Sequence, residues 1–110
     1  MSADAAHESE FVVQSELGLH ARPAGQFVTL AGRFQCEISV GRGTEWVDGR
    51  SVLSLLSLAA SNGTRLKIRA VGSDAVEAVE ALGQLLEAPG SADDAGGEPS
   101  ARPGGPKIPV

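Results

Sequence analysis

The sequence predicts a single α+β domain in which a four-stranded sheet carries three helices on one face, in the order βαββαβα. Three observations predict it. Phe34–Val40 and Arg65–Val71 alternate apolar and polar residues with the period of a strand that has one wet face. Ala24–Ala31 and Val76–Leu86 repeat apolar residues at helical spacing. With 110 residues and 42% apolar content the chain can build one modest core, and strands wet on one side put all the helices on the other.

Residues 1–10 are small and acidic, without the basic region and apolar core of a secretory signal, so a flexible leader is expected, with His7 solvated. The first strand is expected at Phe11–Glu16, where Phe11, Val13 and Ser15 share one face. It runs into Gly18-Leu19-His20-Ala21-Arg22-Pro23-Ala24-Gly25. Proline lacks a backbone donor and has a fixed φ, which suits the first turn of a helix, so Pro23 marks a helix start. Ala24, Phe27, Val28 and Ala31 then form its apolar face, and Gly32 provides the stop.

His20 therefore falls at or just before the N-cap. First-turn N–H groups and the helix dipole favour an anion there, and Arg22 adds a fork of donors matched to phosphate oxygens. A neutral imidazole in that setting is suited to taking a phosphoryl group by nucleophilic attack. Read without context, the same residues also describe a solvated helix cap.

The next strand, Phe34–Val40, turns Phe34, Cys36, Ile38 and Val40 inward. Cys36 is a small core residue with no basic neighbour in sequence to lower its pKa. Gly41-Arg42-Gly43 is read as the turn of a hairpin returning along Thr44–Asp48. Trp46 occupies the place of a third glycine, so this is no dinucleotide fingerprint, and it is read as a packing or edge-strand residue.

Ser51 is a good N-cap for a short helix reaching Ala59, with Asn62-Gly63 as a stop. This helix has more apolar residues than one buried face needs. Val52, Leu53 and Leu56 are thus read either as an exposed docking patch or as ordinary core. In Arg65–Val71, Leu66, Ile68 and Ala70 face in and a basic row faces water. The last helix runs from Asp74 to about Leu86, with Val76, Val79, Leu82 and Leu86 inward. From Ala88 the chain becomes rich in Pro, Gly, Ser and Asp, and 88–110 is expected to be a disordered tail, leaving the domain at 11–87.

A formal charge of −5 and a pI near 4.9 give no electrostatic footprint for nucleic acid. No apolar run reaches the ~20 residues of a membrane span. The lone Cys36 and two histidines supply neither a disulfide nor metal-ligand spacing, so no cofactor or metal is expected. A cytoplasmic monomer with protein partners is expected.

With this element order, the run GLHARPAGQFV resembles the HPr family, the histidine phosphocarriers of the bacterial phosphoenolpyruvate-dependent phosphotransferase system, including its nitrogen-related branch. The likeness covers Phe11 to Glu87. It implies an open-faced β-sandwich with an antiparallel sheet, a phosphoryl acceptor at His20 reacting through Nδ1, and a phosphate-steadying role for Arg22. It places Ser51 on the family's regulatory serine, the target of a serine kinase/phosphorylase. Val52, Leu53 and Leu56 then form the surface shared by Enzyme I and the sugar-specific or nitrogen-type acceptors. Gly25 replaces a small apolar residue of the family pattern, and Arg50–Ala59 has features of both branches. The function implied is carriage of a phosphoryl group rather than independent catalysis. The alternative is a regulatory binding module governed by Ser51 phosphorylation.

Overall fold

The computed structural model describes residues 6–89, in the order β1 (Ala6–Val12), α1 (Ala21–Ala31), β2 (Glu37–Arg42), β3 (Glu45–Asp48), α2 (Val52–Ser57), β4 (Arg65–Val71) and α3 (Ala75–Glu87). The four strands form one antiparallel sheet in the spatial order β1-β4-β2-β3, and the three helices cover one of its faces. This is the open-faced β-sandwich expected from the element order and the resemblance.

Alternation dictates the faces. Ile38 and Val40 lie opposite Ala70 and Ile68, and all four are buried with Leu66 against the helices. Glu8 faces Arg69 and Glu10 faces Lys67 on the open side, where Arg65 and Glu10 form an exposed ion pair at 3.6 Å. Phe27 of α1, Leu55 of α2 and Leu82 of α3 are fully buried over the sheet. Each such side chain contributes about 1.5–3 kcal/mol on leaving water. Gly83 lets α3 approach β1, because a Cβ there would overlap the ring of Phe11.

Several boundaries differ from expectation. β1 starts at Ala6 and ends at Val12, so residues 6–10 belong to the sheet and His7 lies half-buried opposite Ala70. An edge strand whose inward positions are His7 and Ser9 has no apolar alternation to reveal it. Val13 and Ser15 are buried as expected but lie beyond the strand, where the Val13 N–H donates to the Thr64 carbonyl at 2.9 Å.

β2 starts at Glu37 because the Asp74 carboxylate takes the N–H groups of Gln35 (2.8 Å) and Cys36 (3.1 Å), which therefore make no ladder bond. These bonds, with Gln35 first, hold the Asp74 carboxyl below its usual range. Burial, and then the Asp74 carboxylate, push the buried Cys36 thiol up, which fits a core residue.

The hairpin turn is Gly43-Thr44 rather than Gly41-Arg42-Gly43. Gly43 adopts φ +63°, while Gly41 and Arg42 remain in β2. Gly41 is required in the strand because the Trp46 indole lies across it, at 2.8–2.9 Å from where a Cβ would stand. Trp46 is on edge strand β3, partly exposed, with the Lys67 amine 6.0 Å from its ring centre. In α3 the inward stripe is Ala75, Ala78, Val79, Leu82, Gly83 and Leu86, and Val76 is exposed on the flank, contrary to expectation. Residues 1–5 and 90–110, the first half of the expected leader and nearly all of the expected tail, lie outside the described residues. Among the described residues no helix is long and apolar enough to cross a membrane.

Candidate functional site

Pro23 begins the construction of the site. As the third residue of α1 it has no N–H to satisfy, and the helix starts two residues before it. His20 becomes the N-cap, with extended backbone (φ −93°, ψ −169°), and its carbonyl accepts the Ala24 N–H at 3.0 Å. A Ser or Asp at this position would turn its side chain back on the first-turn amides. The His20 imidazole makes no capping hydrogen bond. The helix itself offers no acceptor to the amides of Ala21 and Arg22, and no acidic side chain occupies the first turn. Arg22 is exposed on that turn, and His20 is half-buried and accessible. The arrangement combines a nucleophilic nitrogen with an end of a helix that favours anions.

The loop before His20 is fixed from outside. Leu19 donates its N–H to the Ala60 carbonyl at 2.9 Å and buries its side chain. Gly18, at φ +76°, lies against Ala60 and Ser61 so closely that no Cβ would fit. Asn62 donates through Nδ2 to the carbonyls of Gln14 (3.1 Å) and Ser15 (3.3 Å), and the Gly63 N–H reaches the Val13 carbonyl at 2.8 Å. The segment after α2 is thus the seat of the histidine loop. Sequence reasoning read Asn62-Gly63 only as a helix stop, since bonds to carbonyls 47 and 48 residues away leave no local pattern.

Ser51 is the N-cap of α2, and its Oγ accepts the Ser54 N–H at 3.2 Å. The helix covers Val52–Ser57, shorter than the expected reach to Ala59. Of the three patch residues, Leu53 is 79% exposed, whereas Val52 and Leu56 are partly buried and pack on the core. Core packing therefore accounts for Val52 and Leu56, and only Leu53 stands out into solvent.

The structure does not bring Ser51 and His20 together. Arg50, next to Ser51, donates to the carbonyls of Ala31 (3.0 Å) and Phe34 (2.7 Å) at the C-terminal end of α1. Ala60, just past α2, bonds Leu19 at the N-terminal end of α1. The contacts of the segment Arg50–Ala60 thus reach both ends of α1, the Ser51 side at its C-terminal end and the segment after α2 at the end that carries His20. Among the described residues no group of three or more His, Cys, Asp or Glu could hold a metal ion.

The family model described as PTS-HPr, the PTS HPr component phosphorylation site, matches residues 7–88. The chain belongs to the HPr family. It is 44% identical over 78 residues to the phosphocarrier protein HPr of Pseudomonas aeruginosa, covering 70% of this chain and 87% of that one. Its fold matches the crystal structure of an HPr from Bacillus anthracis with a TM-score of 0.72 at 36% identity, covering 76% of this chain and 99% of that one. It is also 39% identical over 84 residues to the multiphosphoryl transfer protein of Salmonella typhimurium, covering 73% of this chain and 22% of that larger one. HPr-family proteins are phosphocarriers of the phosphotransferase system, carrying phosphoryl groups rather than acting as independent catalysts.

Proposed function

We propose that this HPr-family chain accepts its phosphoryl group on His20 from Enzyme I in the cytoplasm and passes it to a sugar-specific or nitrogen-type acceptor. The observation that carries this reading is an imidazole at the N-cap of α1 that takes no part in capping. In the transfer, the lone pair of the ring nitrogen, Nδ1 by family resemblance, forms a bond to phosphorus as the bond from phosphorus to the donor breaks. The donor keeps that electron pair. Arg22 and the first-turn amides receive the phosphoryl oxygens in a preformed orientation, which favours transfer in both directions. Leu53 provides the main apolar contact for the partner, with Val52 and Leu56 at its edge.

Phosphorylation of Ser51 by a serine kinase regulates this exchange in the same reading. No acidic residue stands in the first turn of α2, so the helix tolerates the added charge. Two residues from the exposed Leu53, that charge acts on the partner docking there.

Intact-mass measurement with phosphoenolpyruvate and Enzyme I tests the central claim. One acid-labile phosphoryl group on the wild type and none on His20→Ala is expected. No transfer to the wild type, or transfer to both, overturns it.

A further inference from the structure

We infer that Arg42 is a positioning residue for the phosphoryl-accepting loop, acting through the strained turn that follows α2. This inference rests on the assignment of His20 as acceptor. Arg42 ends the inward row Ile38, Val40, Arg42 of β2, so its chain runs toward the helices rather than the open face of the sheet. There Nη1 donates to the carbonyls of Leu58 (2.8 Å) and Ala59 (3.1 Å). Leu58 is the C-cap of α2, and its carbonyl is among those a helix cannot satisfy internally.

Ala59 has φ +52°, the one positive φ outside glycine among the described residues. An L-residue disfavours that conformation, and it persists only when its surroundings hold it. The next residue, Ala60, is the acceptor for the Leu19 N–H and the surface on which Gly18 rests. The sequence of contacts is short: a guanidinium fixes Leu58 and Ala59, the fixed turn sets the Ala60 carbonyl, and that carbonyl holds the residue before His20. Without Arg42 the Ala59 N–H keeps its bond to the Leu56 carbonyl at 3.0 Å, but the carbonyls of Leu58 and Ala59 lose their donor, so Ala59 relaxes more readily toward negative φ and swings Ala60 away from Leu19. The imidazole then loses its preset direction while the partner-docking surface on α2 stays in place.

The test uses the full chain. Arg42→Gln is expected to speed amide exchange at Leu19 and to lower the kcat of phosphoryl transfer from Enzyme I by about 2- to 30-fold, with KM unchanged. Arg42→Lys, which keeps a donor, should lie between. Adding Ala59→Gly to Arg42→Gln is expected to restore both readouts, because glycine adopts the turn without help. Asp74→Asn is the stability control: it weakens the Gln35 and Cys36 contacts, which follow the C-terminal end of α1, and should alter neither readout. Unchanged Leu19 exchange in Arg42→Gln overturns the inference, as does faster exchange with unaltered kcat, or failure of Ala59→Gly to rescue. If the wild type accepts no phosphoryl group, the carrier assignment itself fails, and Leu19 exchange still shows whether Arg42 holds the loop.

Discussion

The starts of α1 and α2, on the same face of the sheet, use their N-caps in opposite ways. Ser51 returns its hydroxyl to the α2 backbone at 3.2 Å, whereas His20 contributes only its carbonyl to α1. The serine completes a six-residue helix that has little else to start it, while the eleven-residue α1 is anchored by buried Ala24, Phe27 and Ala31. A helix stabilised by tertiary packing does not need a side-chain cap. Its N-cap position is therefore available for chemistry, and the loop after α2, not the helix, holds that residue in place.

The largest expected effect separates the two caps by function. His20→Ala should abolish phosphoryl transfer while changing stability by no more than about 0.5 kcal/mol, as for a surface position without special contacts. Parallel mass and thermal-unfolding measurements check this, and a large loss of stability would mean that the imidazole supports the fold. Next is Ser51→Asp, which should raise KM for transfer from Enzyme I about tenfold, worth about 1.4 kcal/mol of docking, and leave kcat unaltered. An altered kcat with constant KM would show that the charge reaches His20 after all.

Ser51→Ala carries the comparison into stability. Losing the cap bond should cost about 1 kcal/mol in denaturant unfolding without affecting His20 phosphorylation. The smallest effect is expected at Gly25, in α1, where an added Cβ meets nothing within 4 Å. Gly25→Ala should stabilise by about 0.5–1 kcal/mol through helix propensity alone. A loss of stability there would mean that α1 is not the self-sufficient helix the comparison requires.

Much of this was legible locally. Pro23 and the apolar spacing behind it put His20 at a helix start, and the alternation of Arg65–Val71 gave β4 to the residue. Edge strand β1 leaves no such local signal, because it carries His7 and Ser9 where a half-buried strand normally shows apolar residues. The start of β2 has no local signal either, because Asp74, 38 and 39 residues further along the chain, takes the amides of Cys36 and Gln35.

By itself the sequence determined which faces are buried, where helices start, and that a histidine and an arginine stand together at the start of α1. These follow from interactions between residues a few positions apart, which periodicity and proline record. Only the tertiary structure decided that Arg50, beside Ser51, bonds the C-terminal end of α1 while Ala60 bonds the residue before His20, that Leu53 is exposed while its neighbours are not, that Arg42 bonds the carbonyls of Leu58 and Ala59, and that Ala60 and Asn62 hold the segment before His20. Those contacts end on backbone carbonyls. Every residue has one, so the partner is chosen by the fold and leaves no mark in the sequence.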